Sequence, residues 1–118
     1  MPGTRMLLRI DDDRFDLIEI GDIYYCEAMG GDTVVRTRRM RPYRTTERLA
    51  ALAARLPADR FLRPHRSFLV NLDRLQHVSR RAAGGWSLKL DPPVNRVIPI
   101  ARSHERDTFL RLGWKRSR

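Results

Sequence analysis

Arg63, His65 and Arg66 bring three long hydrogen-bond donors into four positions, with Pro64 stiffening the backbone between them. An apolar anchor, Phe68-Leu69-Val70, follows Ser67 directly. A segment built this way can project guanidinium groups outward while its neighbour is fixed in a core. Arginine in that setting can fork onto guanine O6 and N7, or onto a phosphate. Ser67 can add a hydroxyl and a main-chain N–H to the same phosphate. The same residues fit equally well as two solvated surface charges beside a packed histidine.

Other reactive side chains do not converge. His65, His77 and His104 lie far apart and show no metal-type spacing. Ser67 near His65 lacks a nucleophile elbow and an orienting acid. Asp11-Asp12-Asp13 lacks the glycine and distal glutamate of a calcium loop, and reads as a solvated turn. No glycine-rich phosphate loop is present. Cys26 stands alone, so it forms no internal disulfide and no zinc cage, and a neighbouring Glu27 would tend to raise its pKa. The chain reads as neither an enzyme nor a metal or cofactor carrier.

Charge points to the partner. The 118 residues hold 24 Lys+Arg against 14 Asp+Glu, a net +10. Residues 1–35 carry three arginines and eight acids, a balance of −5, whereas residues 36–118 carry 21 basic residues and six acids, a balance of +15. Only Lys89 and Lys115 are lysine. A basic surface of this strength favours a polyanion, whether DNA, RNA or, less readily, an acidic membrane. No stretch approaches the ~18–20 apolar residues of a membrane helix, and the start has no secretory pattern, so the cytoplasm is expected.

The elements that must position these residues are mostly strands. The length suits one domain over residues 1–118. Short apolar runs predict strands at Met6–Ile10, Phe15–Ile20, Ile23–Met29 and Thr33–Arg38, with Gly30-Gly31-Asp32 as a hairpin turn. Leu49, Leu52, Ala53 and Leu56 form one helical stripe, expected to pack on the sheet. Thr45 or Thr46 is expected to cap that helix, with Glu47 in its first turn and Pro57 ending it. Leu75–Arg81 and Trp86–Leu90 read as a hairpin, followed by a strand at Val97–Ile100. Ser103 is expected to cap a last short helix that turns Phe109 and Leu112 to the core. The fold class is a β-rich α+β arrangement of mostly antiparallel strands.

Phe61-Leu62-Arg63-Pro64-His65-Arg66-Ser67-Phe68-Leu69-Val70-Asn71 resembles the "F-x-R-x-H-R-S-[YF]-[IL]-V-N" signature of LytTR DNA-binding domains. Ile23-Tyr24-Tyr25-Cys26-Glu27-Ala28 is similar to the family's "I-x-Y-x-E-A" strand. Val97-Ile98-Pro99-Ile100-Ala101-Arg102-Ser103 resembles its "x-I-P-V-S-R-S/T" segment, in the expected order. The resemblance covers about residues 6–112.

It implies an elongated arrangement of short, mostly antiparallel sheets with one or two small helices, the output domain of bacterial response regulators in two-component systems. It further implies sequence-specific binding of double-stranded DNA through loops in successive grooves, in transcription regulation. Carried over, the loops are Gly30–Thr33, His65–Ser67 and Ala101–Ser103. Arg66 and Arg102 become base-contact candidates, Ser67 and Arg63 phosphate candidates, and His65 and Thr33 further loop contacts. Asn71 fits a structural hydrogen bond as readily as a DNA contact. The expected target is promoter direct repeats or half-sites, with a dimer on DNA as one arrangement. Two positions depart from the pattern: Ala101 stands where the family has serine, and the first loop offers Asp32 and Thr33 with no basic or imidazole group. The competing reading is a small basic RNA-binding module. Because Tyr24 and Tyr25 are adjacent, one is expected on each side of their strand, leaving only one to stack on bases from that sheet.

Overall fold

The computed structural model describes residues 4–115. β1 (Arg5–Asp11) and β2 (Arg14–Glu19) pair as an antiparallel hairpin around the Asp12-Asp13 turn. Alternation along these strands turns Leu8 and Ile18 inward, where both are buried, and leaves Leu7, Phe15 and Leu17 half-exposed on the other face. A 3₁₀ turn at Ile20–Asp22 leads into β3 (Ile23–Met29) and then β4 (Asp32–Thr37). Gly30 and Gly31 connect these two with φ of 59° and 101°, a left-handed pair that glycine adopts without a Cβ penalty.

β5 (Tyr43–Thr45) pairs with β4, and helix α1 (Leu49–Arg55) follows. The signature segment itself is a hairpin, β6 (Phe61–His65) and β7 (Phe68–Asn71). Together these strands make one antiparallel sheet in the order β5-β4-β3-β7-β6. β8 (Leu75–Arg80), β9 (Trp86–Leu90) and β10 (Val97–Ile100) form a third antiparallel sheet. A 3₁₀ turn at Arg102–His104 opens the second helix, α2 (Glu105–Arg111). The principal extents, 52 × 32 × 25 Å, make the molecule elongated, as expected.

The five-stranded sheet is apolar on both faces, so it carries two cores. One gathers Leu8, Ile18 and Ile20 from the hairpin side with Leu49, Leu52 and Leu56, so the helical stripe packs on the sheet. The other places Leu62, Phe68 and Val70 against Leu88, Leu90, Ile98 and Ile100 of the third sheet. Strand β7 is buried along its whole length: Leu69 points to the first core, Phe68 and Val70 to the second. That double burial bolts one side of the Arg63–Ser67 segment in place.

Three local expectations fail for identifiable reasons. Thr45 does not cap α1; it is buried in β5, and its Oγ1 accepts the N–H of Glu47 at 3.1 Å instead. Arg48 occupies the cap position without a side-chain bond, and Glu47 lies before the helix, where its carboxylate accepts from Arg9 N–H (3.1 Å) and Arg55 (2.6 Å). Ser103 does not cap α2 either, because residues 102–104 continue as a 3₁₀ turn and His104 stands at the helix start. Tyr24 and Tyr25 do not divide between the two faces. The β3–β4 register shifts between Ile23 and Tyr25, and this bulge lets both tyrosines enter the same core.

Candidate nucleic-acid interface

Main-chain hydrogen bonds draw the three loops to one end of the central sheet. Ala28, two residues before Gly30, donates to the carbonyl of Ser67 at 2.9 Å, which ties the first loop to the second. Ala101 donates to the carbonyl of Pro64 at 2.9 Å, and Nδ1 of His104 donates to the carbonyl of Arg63 at 2.9 Å. Those two bonds tie the third loop to β6. His104 is a positioning residue that sequence reasoning passed over, since a lone histidine without metal spacing gave no signal.

The second loop is braced from within. Ser67 N–H donates to Nδ1 of His65 at 3.1 Å, so the neutral ring carries its proton on Nε2, leaving that N–H as a donor. The His65 ring also meets the Phe68 ring edge-on, with centroids 5.6 Å apart. Arg63 is half-buried, and its Nη2 donates across the turn to the carbonyl of Arg66 at 2.7 Å. The Arg66 side chain itself is exposed, as is that of Arg102, while Ser67 is half-exposed.

The geometry also removes two candidates. Thr33 is fully buried and its hydroxyl donates to the carbonyl of Glu47 at 2.7 Å, so it offers nothing to a ligand in the first loop. Its strand register turns it inward, where a buried hydroxyl must find a partner. Asn71 is fully buried too: its amide donates to Ile23 O at 2.9 Å, and its Oδ1 accepts the Asp73 N–H at 2.9 Å. Its role is structural. Arg63, expected at a phosphate, spends part of its guanidinium on the Arg66 carbonyl.

Behind the loops sits a second arginine that the sequence did not single out. Arg96 donates to Tyr25 OH at 2.8 Å and to Glu27 at 3.3 Å, and lies 5.4 Å from the Phe68 ring centroid. Tyr25 and Glu27 are two positions apart on one strand, hence on one face, and that pairing of acceptors was the available signal. On the α2 side, Trp86 and Phe109 meet edge-on at 5.3 Å, and Leu112 packs on the second core. Cys26 is fully buried, and burial, not Glu27, pushes its thiol up to about 12. Among the described residues no group of three or more His, Cys, Asp or Glu is placed to hold a metal ion.

An antiparallel β scaffold offering three tethered loops, two of them led by exposed arginines, defines a loop-presenting nucleic-acid module. The chain belongs to the LytTr DNA-binding domain family, which it matches over residues 13–112. It is 33% identical over 94 residues to the transcriptional regulatory protein YpdB of Escherichia coli K12, covering 80% of this chain and 38% of that protein. It is 28% identical over 91 residues to the sensory transduction protein LytT of Bacillus cereus, covering 77% of this chain and 36% of LytT. The chain thus spans under two-fifths of the length of these relatives. The fold matches a solved LytTr DNA-binding domain of a putative methyl-accepting/DNA response regulator from Bacillus cereus, with a TM-score of 0.78 at 22% identity. That match covers 94% of this chain and 98% of the other. The family is a DNA-binding regulatory one, not an enzyme class.

Proposed function

We propose that this chain binds double-stranded DNA sequence-specifically in transcription regulation, with Arg66 and Arg102 on base edges and Ser67 on a phosphate. The observation that carries this reading is the gathering of the His65–Ser67 and Ala101–Ser103 loops at one sheet end by the Pro64 and Arg63 carbonyls. That arrangement can set two guanidinium groups against one face of a duplex. His65 Nε2 and the Gly30–Gly31 main chain add further polar groups at this end, where Asp32 is paired with Arg44 at 3.5 Å. Family membership and relatives named as transcriptional regulators support the same reading. The proposed target is a half-site or direct repeat in a promoter, and the proposed setting is the cytoplasm.

RNA binding by stacking on the Tyr24-Tyr25 strand loses its platform here, because these tyrosines are only 1% and 7% exposed. The test is a mobility-shift comparison of duplex DNA with matched RNA across a salt series. About four to eight phosphate contacts give a slope of log K against log salt near −4 to −7 for the duplex. A slope within about one unit of zero, or preference for the RNA, would overturn the proposal.

A further inference from the structure

At the opposite end of β4 from the Gly30–Gly31 turn, residues 38–42 connect β4 to β5. Six residues of strand separate the two ends, roughly 17 Å. This connection reads Arg38-Arg39-Met40-Arg41-Pro42, and all five side chains are exposed, Met40 by 92%. We propose that Arg38, Arg39 and Arg41 form a second phosphate site, which holds duplex DNA beyond the segment reached by the three loops. The proposal rests on the DNA-binding reading and deepens it.

The connection carries surplus positive charge. Every carboxylate near this connection already has a cation of its own. Asp16 is held by Arg14 at 2.8 and 3.0 Å, Glu19 by Arg5 at 3.5 Å, and Asp22 by Arg74 at 3.8 Å. Asp32, further along β4, is held by Arg44 at 3.5 Å. Among the described residues Arg38, Arg39 and Arg41 make no ion pair within 4 Å, and all three stand in one short exposed segment. Arg39 is also near enough to act on Asp16. Asp16, Glu19 and Asp22 lie beside the segment, Glu19 and Asp22 in one groove with Arg38 and Arg39. Each already has its own cation, so the balance of charge here is positive.

Arg39, at the centre of the segment's charge, is also held in place before any ligand arrives. The Arg39 N–H donates to Thr37 Oγ1 at 3.2 Å, and its guanidinium lies 4.8 Å from the Tyr43 ring centroid while donating to the Tyr43 hydroxyl. Arg36 donates to the carbonyl of Thr37 at 3.1 Å, which fixes the strand exit. Groups held this way lose less freedom on binding. Guanidinium forks match phosphate oxygens, and a duplex presents phosphates at regular spacing. The whole molecule is 52 Å long, a distance that B-DNA covers in about 15 base pairs. A duplex extending past the segment met by the loops offers further phosphates to such a site.

The experiment uses a duplex selected by the wild-type chain from a random library. Binding is compared on the selected core alone and on the same core with about 15 random base pairs on each side. Wild type should gain at least tenfold from the flanks. The Arg38→Ala/Arg39→Ala/Arg41→Ala variant should bind the core within about twofold of wild type, lose most of the flank gain, and show a salt slope on the long duplex shallower by about two to three. Should the triple variant fold poorly, Arg38→Ala/Arg41→Ala leaves Arg39 against Tyr43 and should flatten the slope by about two. The site is overturned if the variant keeps the full flank gain and slope, as it would if the loop served an acidic protein, or if it loses equally on both duplexes. If wild type selects no duplex at all, the DNA reading falls and takes this site with it.

Discussion

The guanidinium of Arg63 spans the turn that carries Arg66, donating to the Arg66 carbonyl at 2.7 Å. The main chain that aims Arg66 is therefore held by the side chain three residues earlier. Arg63 shares this task with His104, which grips the Arg63 carbonyl from the third loop at 2.9 Å. Two basic residues that look alike in the sequence thus divide the work: one shapes the turn, the other extends from it.

From this follows an expectation for Arg63→Lys. A lysine keeps the charge but loses the planar fork that reaches the Arg66 carbonyl. Specific affinity should fall about five- to thirtyfold, equivalent to the ~1–2 kcal/mol of a charge-assisted hydrogen bond, with the salt slope unchanged within about half a unit. Had Arg63 been a plain phosphate contact, lysine would substitute with little loss, and alanine would weaken specific and random duplexes alike. Salt titrations of both variants on a selected and a random duplex separate the two roles.

Stability and recognition should separate inside the signature. Phe68→Ala removes a ring packed on Tyr25 and the second core, and should cost roughly 3–5 kcal/mol. Asn71→Ala leaves the Ile23 carbonyl and the Asp73 N–H without their buried partner and should cost about 2–4 kcal/mol. Arg66→Ala should stay within about 0.5 kcal/mol of wild type, because its side chain is exposed. Urea unfolding of the three variants checks this. An Arg66→Ala variant that unfolded would make Arg66 structural and displace the reading loop.

Most strands were legible because their apolar residues alternate or run together between turn residues. The Gly30-Gly31 turn, the Trp86–Leu90 strand and the Leu49–Leu56 stripe all fall where pattern alone puts them. What pattern could not show was where each polar side chain spends its hydrogen bonds. Thr33 looks like a loop residue in the chain, but pairing with Thr45 turns it inward onto Glu47. Thr45 and Ser103 look like helix caps, yet one is taken by a strand and the other by a 3₁₀ turn. Arg96 and His104 act over 69 to 71 and 41 positions of sequence respectively, beyond the range of any local spacing rule. The Tyr24-Tyr25 pair needed the bulge, which period-2 reasoning cannot contain.

The buried thiol gives the fold a pH signature. Cys26 titrates near 12 in the folded chain, against about 8.5 when unfolded. The folded state therefore holds its proton where the unfolded state releases it, so the contribution is full below about pH 8.5 and is lost as pH rises towards 12. Between about pH 9 and 11, wild type should lose up to ~1.4 kcal/mol per pH unit relative to Cys26→Ala. Urea midpoints of the two chains across that range measure the difference. Parallel curves would mean that the thiol is reachable by solvent. Alkylation of wild type at pH 8 should likewise require unfolding.

Arg66 and Arg102 lie in different loops, both exposed, and among the described contacts neither guanidinium is tied to another residue. If both read base edges, each alanine substitution should cost about 1–3 kcal/mol on the selected site and relax preference at a different base position. On random duplex the losses should be smaller, since only the general electrostatic attraction is removed. Their effects should add to within about 0.5 kcal/mol, because the side chains share no partner. The main chains beneath them are joined, however, through the Ala101–Pro64 and His104–Arg63 bonds. His104→Ala cuts the second of these without touching either arginine. It should lower specific affinity, spare random duplex, and combine less than additively with Arg66→Ala and with Arg102→Ala, because part of what each arginine supplies depends on the loops keeping their spacing. Binding-site selection with wild type and these variants at one salt concentration measures all of this together. If Arg66→Ala and Arg102→Ala lowered affinity with base preferences intact, both would be phosphate contacts. Specificity would then have to come from the Gly30–Gly31 main chain or from the energy of bending the duplex.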